Sequence, residues 1–187
     1  MELVGKSLAD LKALRPNKVF TVPNSMGAGI ECLEACEDLH KHGFIPRDLK
    51  PANYACGLGD KKRVVYILDF GIARKITNVK GELKTPRESV RFKGTIRFAA
   101  IACHKNLEMG PKDDCESWFY SMLVITISGG LFFDRAHVAQ WLEDAALGGV
   151  PCIEELSKML DYTDSLKNHD HVDYDYIYKL LEQVRKI

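Results

Sequence analysis

The stretch FIPRDLKPANY, residues 44–54, sets Asp48, Lys50 and Asn53 within one short loop. It runs directly into YACGL (54–58), the polar turn GDKK (59–62) and RVVYILDFG (63–71), a pattern that predicts a small hairpin ending at Asp69. Asp69 follows Asn53 by sixteen residues. A carboxylate, an ammonium, an amide and a second carboxylate are thus delivered by two adjoining segments. A solvated turn beside an unrelated strand end would leave that order and separation without a reason. A lone Asp-Phe-Gly would carry little weight, because three common residues recur by chance.

Working outward, the flanks read as helix. Ser7 and Asp10 form a capping box, Leu8, Leu11 and Leu14 recur at helical spacing, and Pro16 stops the run. A second helix is predicted from Asn24 to Lys41, with Met26, Ile30, Leu33 and Leu39 inward and Gly43 as its stop. After Asp69 regular patterning fades from Gly71 to Lys112, and so long a loop in a compact domain is normally functional. WFYSMLVITISGG (118–130) reads as a buried core helix, short of the roughly 20 apolar residues that cross a bilayer. HVAQWLEDAAL (137–147), CIEELSKMLDY (152–162) and YDYIYKLLEQVRKI (174–187) close the chain as helices. The expected fold class is mainly α with a small β-hairpin.

Composition narrows the functions on offer. With 187 residues and 46% apolar content, the chain suits one globular domain or part of a larger one. Lys plus Arg equals Asp plus Glu at 26 each, so no global field recruits nucleic acid or an anionic membrane, and neither is an expected partner. The six cysteines include no CxxC pair, and MELVGKSLADLK lacks a signal-peptide core, which points to reduced thiols in the cytoplasm or nucleus. Cys32, Cys36 and His40 share a helical face, but three or four ligands must close on zinc and no further partner is near in sequence, so core cysteines are the expected reading. NHDHVDYD (168–175) reads as a polar loop rather than a metal site.

The loop residues suit phosphoryl transfer. That chemistry needs a group to orient the attacking hydroxyl, a cation to spread over the γ-phosphate, and hard oxygen ligands for Mg2+. Asp48 fits the first need, Lys50 the second, and Asn53 with Asp69 the third.

D-x-K-x-x-N, then a strand and D-F-G, resembles the catalytic elements of protein kinases. GTIRFAAIACHKNLEMGPKDD (94–114) further resembles the segment GT-x-R-Y-A-S … H-x-N-x-E-x-G-x-x-D-D of the casein kinase I group, nearest its tau-tubulin kinase branch. The resemblance is strongest over residues 1–130 and implies a partial protein kinase domain over 1–187, hinge and C-terminal lobe, with the N-terminal lobe absent. It implies ATP and Mg2+ as cofactors, with Glu2, Leu3, Lys50, Asn53, Ala55 and Asp69 facing the nucleotide and Asn53 and Asp69 holding the metal. Asp48, Lys50 and Thr95 would be the catalytic group. Arg47 and Asp114 would be structural, Asp114 tying down the loop backbone. LFFD (131–134) departs from the group's Leu-Pro-Trp.

Two departures bear on activity. No glycine-rich loop or strand lysine with its paired glutamate precedes MELVGKSL, which itself resembles the hinge. Pro46 stands where the family carries an architectural histidine. Loss of that hydrogen bond costs about 1–3 kcal/mol if its partner stays buried and unpaired, and proline biases Ile45 toward an extended shape. The reacting groups nonetheless survive.

Lys84, Arg87, Arg91, Lys93 and Arg97 face a single nearby acid, Glu88, a basic run suited to acidic or already phosphorylated protein substrates. By the resemblance Arg97 and Lys93 would hold the substrate's phosphate or acidic side chain. Two readings stay open: a serine/threonine kinase of the casein kinase I superfamily in truncated form, and a kinase-derived binding module without catalysis, a pseudokinase. The surface that the missing lobe would cover, Leu3 and Ala55 included, is expected to be apolar and to seek a partner.

Overall fold

The computed structural model describes residues 3–127, 135–147 and 152–186. Glu2 and the LFFD segment lie outside them. Over the described residues there are seven α-helices: α1 (Leu8–Ala13), α2 (Val22–Lys41), α3 (Ile101–His104), α4 (Pro111–Thr126), α5 (Arg135–Leu147), α6 (Ile153–Ser165) and α7 (Tyr174–Arg185). Among these residues no helix is long and apolar enough to cross a membrane.

Local chemistry sets most of the ends. The Ser7 hydroxyl accepts from the Asp10 amide while the Asp10 carboxylate accepts from the Ser7 amide, so both orphan donors at the start of α1 are used. α2 begins two residues before the predicted Asn24, because Pro23 is preorganised for a first helical turn and needs no N–H partner there. It ends at Lys41, capped by His42, and Gly43 just beyond turns the chain with a φ of 77° that suits glycine. A side chain at that position would also collide with Thr77, its Cβ 2.5 Å from the hydroxyl oxygen.

The core is built on α2, α4 and the C-terminal helices. α4 is buried on every side from Asp113 to Ile125. Met26, Leu33 and Cys36 of α2 pack with Trp118 and Met122 of α4 and with Ile177 and Leu181 of α7. Gly29 permits the α2–α4 approach: a Cβ there would lie 3.0 Å from the Met122 sulfur, and its carbonyl accepts the Trp118 indole N–H at 2.9 Å. Each fully buried large apolar side chain of this set contributes about 1.5–3 kcal/mol. Ile30 and Leu39, predicted inward, are only half buried, since the inner face of α2 is centred on Cys32, Leu33 and Cys36.

The single predicted hairpin is present: β2 (Tyr54–Cys56) pairs antiparallel with β3 (Val65–Ile67), Ala55 opposite Tyr66. A second ribbon joins β1 (Phe44–Ile45) to β4 (Arg74–Lys75), with Ile45 opposite Arg74. Strands of two residues carry no readable alternation, and only the returning chain makes them strands. Residues 5–7 run along β2, with Gly5 donating to the Cys56 carbonyl at 2.7 Å and Cys56 donating to that of Lys6 at 3.2 Å. Ala55, expected on an exposed apolar surface, is therefore buried, while Leu3 is 80% exposed.

Candidate active site

The two short ribbons hold the loop 46–53 between them. β1 delivers Pro46, which is buried, and β2 receives the loop after a short helical turn over Pro51–Asn53. Arg47 takes the left-handed φ of 66°, uncommon for a side-chain-bearing residue and tolerated only where the surroundings impose it. Three groups do so here. The Arg47 amide donates to Asp114 Oδ1 at 3.0 Å, its guanidinium donates to the Ile72 carbonyl at 2.8 and 2.5 Å, and its own carbonyl faces Gly94. Gly94 has φ 110°, and a Cβ there would stand 2.8 Å from the Arg47 oxygen.

The side chains past Arg47 close into a compact polar cluster. Lys50 Nζ donates to Asp48 Oδ2 at 2.7 Å and to Thr95 Oγ1 at 2.8 Å, while the Thr95 hydroxyl donates to Asp48 Oδ1 at 2.7 Å. The Asn53 amide nitrogen donates to the Asp48 carbonyl and to Oδ2, at 2.9 and 3.2 Å. Both Asp48 oxygens thus have donors, and the carboxylate is fixed in direction. Thr95 arrives from 45 residues beyond Lys50, out of the stretch whose local pattern reads only as a long loop and where the resemblance alone singled it out.

Asp69 comes beside this cluster because the Leu68 amide donates to the Asn53 carbonyl at 2.7 Å. Asp69 itself is exposed, with φ 47°, and its Oδ1 accepts from the Gly71 amide at 3.0 Å. The Asn53 nitrogen is spent on Asp48, which leaves its amide oxygen. That oxygen and the Asp69 carboxylate are both hard donors of the kind Mg2+ takes. Phe70 is 53% exposed.

Asp114, fully buried at the first turn of α4, serves two partners. Its Oδ1 holds the Arg47 amide and its Oδ2 bonds His40 Nε2 at 2.9 Å, and the other ring nitrogen of His40 meets the Tyr174 hydroxyl. Cys36 Sγ lies 3.5 Å from the same Nε2. Donor atoms of Cys36, His40 and Asp114 fall within 4.8 Å of one another, but the hydrogen bonds among His40, Asp114, Tyr174 and Arg47 account for all but the thiol. Burial pushes the Cys36 thiol well above its ordinary range, so it is an inert neutral group there. Cys32 stands outside this group.

Beside the loop lies a basic hollow of about 530 Å3, lined by Arg47, Arg74, Lys75, Lys84, Arg87, Arg91 and Lys93. Four of the five basic residues of the segment 84–97 contribute to it. Arg97 does not; its guanidinium sits 5.7 Å from the Phe98 ring. Arg74 and Arg87 share Glu108, with contacts of 3.0 and 2.5 Å. Burial pushes the Glu108 carboxyl up, but the bond from Arg87 and the charges of both arginines outweigh it and hold it below its usual range. The roles of Arg74, Glu108, His40 and Tyr174 escaped the sequence reading. No local spacing connects Arg74 to Glu108, or His40 to a tyrosine 134 residues away.

No family model matches the sequence. Three curated proteins are similar to it. Serine/threonine-protein kinase spe-6 of Caenorhabditis elegans is 38% identical over 120 residues, 64% of this chain and 32% of that protein. A putative serine/threonine-protein kinase of the same nematode is 38% identical over 123 residues, 66% of this chain and 37% of its own length. A probable serine/threonine-protein kinase of Dictyostelium discoideum is 36% identical over 124 residues, 66% of this chain and 25% of its own. The chain is related to protein kinases, and its mainly helical fold fits a kinase-like C-terminal lobe. It spans between a quarter and two fifths of the length of these relatives.

Proposed function

We propose that these residues form the metal- and substrate-facing floor of an ATP-dependent serine/threonine protein kinase of the casein kinase I group, nearest its tau-tubulin kinase branch. The observation that carries the reading is the closed cluster of Asp48, Lys50, Asn53 and Thr95 with Asp69 brought alongside. In this reading Asp48 orients the substrate hydroxyl and takes its proton, and Lys50 spreads over the transferring phosphate. Asn53 and Asp69 would hold Mg2+, which supplies charge neutralisation at the phosphates. Arg47 and Asp114 keep the loop in its strained form, and Leu3 and the first residues would meet the adenine side.

The seven-cation hollow supports acidic or phosphorylated protein substrates, since guanidinium groups pair with phosphate in two-pronged fashion. Lys93 and its neighbours would take the substrate phosphate, with Arg97 serving a separate part of the peptide. The test is phosphorylation of acidic and primed peptides by the chain joined behind a glycine-rich lobe from a related kinase. Activity is expected, with Asp48→Asn and Asp69→Asn each removing nearly all of it. A folded fusion that is inactive, both as it stands and as Pro46→His, would refute the reading.

Pro46 favours a second reading, a binding module without catalysis that keeps the peptide-facing hollow. On that reading the same fusion binds phosphopeptides through the hollow yet transfers nothing.

A further inference from the structure

A cavity of about 320 Å3 opens between the β1–β4 ribbon, residues 83–86, the start of α4 and the segment entering α7. Asp48, Lys50, Asn53 and Asp69 take no part in its walls. Ile76, Leu83, Met109 and Val172 supply apolar walls, and His40 and Tyr174 are also part of the lining. Its size falls at the lower end for small-molecule sites, roughly 300–1,000 Å3, which suits one bicyclic molecule.

The charges around it say which kind. Lys41 is paired with Glu37 at 2.8 Å, Arg74 with Glu108 at 3.0 Å, and Lys84 Nζ donates to the Lys75 carbonyl at 3.0 Å. Asp170 accepts from the Lys167 amide at 2.7 Å. The lining sets Lys41, Arg74 and Lys84 against Glu37, Glu108 and Asp170, so it offers an ion no net charge to meet, and a neutral ligand suits it better. The Met109 thioether and the Tyr174 ring favour flat aromatic faces. We propose that this cavity is a second binding site, taking a small neutral heteroaromatic molecule, and that its occupant is coupled to the loop at Arg47.

The coupling has a physical route. Tyr174 bonds His40, His40 bonds Asp114 at 2.9 Å, and Asp114 holds the Arg47 amide at 3.0 Å. A ligand packed on Tyr174 restrains the far end of this chain, and binding there stabilises the loop by the same factor by which the ordered loop tightens binding. The site stands whether or not the chain transfers phosphate, since neither half of the proposal uses that activity.

The full chain titrated with 5-fluoroindole, followed by fluorine NMR and by amide shifts, tests it. Saturable binding is expected, with a Kd on the order of a millimolar or tighter for a probe of this size, and shifts at Leu83, Met109 and Val172. Exchange of the Arg47 amide should slow by roughly fivefold at saturation, the lower end of site-to-site coupling. Leu83→Trp, at a 55% exposed position that tolerates bulk, should fill the mouth and abolish binding. Tyr174→Phe keeps the ring but removes the hydroxyl, and should leave binding while uncoupling Arg47. Binding that survives Leu83→Trp, or that adenosine displaces, would place the probe on the nucleotide side and overturn the site. An Arg47 amide indifferent to saturation would overturn the coupling.

Discussion

Replacing Asp114 by alanine tests what holds the loop 46–53 in its strained form. Two hydrogen bonds end on this buried carboxylate, from the Arg47 amide at 3.0 Å and from His40 Nε2 at 2.9 Å. Asp114→Ala leaves both donors without a partner in a site that water does not reach. A buried donor left unpaired costs about 1–3 kcal/mol, so the pair amounts to about 2–6 kcal/mol, a large share of a domain stability of about 5–15 kcal/mol. Asp114→Asn should cost much less. Its oxygen can still accept from Arg47, and its NH2 can donate to His40 once the imidazole proton moves to Nδ1 and is donated to Tyr174. The assay is urea unfolding of the full chain, with midpoints compared at unchanged slope. His40→Ala completes a double-mutant cycle, with an expected coupling of about 0.5–3 kcal/mol. Equal losses for alanine and asparagine, or a loss below about 1 kcal/mol for alanine, would refute the view that this carboxylate anchors the loop.

Gly94→Ala should destabilise by about 2 kcal/mol or more, because φ 110° is strained for alanine and its Cβ would meet the Arg47 oxygen at 2.8 Å; thermal unfolding measures it. Thr95→Val should loosen Asp48 and Lys50 and, in the completed enzyme, lower the transfer rate more than nucleotide affinity, which a kcat and KM comparison separates. In the same fusion Pro46→His should raise the rate by about fivefold, since one restored hydrogen bond is worth about 1 kcal/mol. Glu108 titrates below the ordinary 4.5, so its contribution to stability is complete above that value and is lost as pH falls through the lower folded one. Glu108→Gln should flatten that acid limb in unfolding curves taken from pH 6 to pH 3. Buried Asp113 and Glu116 are shifted the other way, upward by burial, so acidification through their raised values adds stability and opposes the Glu108 loss. Asp113→Asn should remove part of that rise.

Phosphopeptide binding to the basic hollow gives a further check. Arg91→Ala and Lys93→Ala should each weaken it severalfold, and the weakening should shrink as salt is raised. Peptides with alanine in place of the phosphorylated residue should show no such dependence.

Most of the helices and the hairpin were legible in the sequence because the information that makes them is local, but α3 lay unread in the stretch 71–112 and α4 begins at Pro111, ahead of the apolar run at Trp118 that marked it. Ser7 and Asp10 cap each other across one turn, Pro23 and Gly43 bracket α2, and GDKK sits between two β-rich runs. The reacting loop was legible for the same reason, with Asp48, Lys50 and Asn53 six residues end to end. Local pattern also misled: the spacing of Ile30 and Leu39 suits an inner face, but the placement of α4 and α7 turned the burial of α2 toward Cys32 and Cys36. The resemblance named Thr95 and Asp114 for this loop, which no local pattern does; what only the tertiary structure decided is the geometry by which distant groups hold it. Thr95 closes the cluster from 47 residues beyond Asp48, Asp114 reaches Arg47 from 67 residues away, and Tyr174 reaches His40 from 134. Arg74 enters the basic hollow while Arg97 leaves it, although Arg97 is the one adjoining the basic run in sequence. Hydrogen bonds and ion pairs act over about 3 Å in space with no sequence period of their own. Such partners are chosen when the helices pack and leave no periodic trace along the chain.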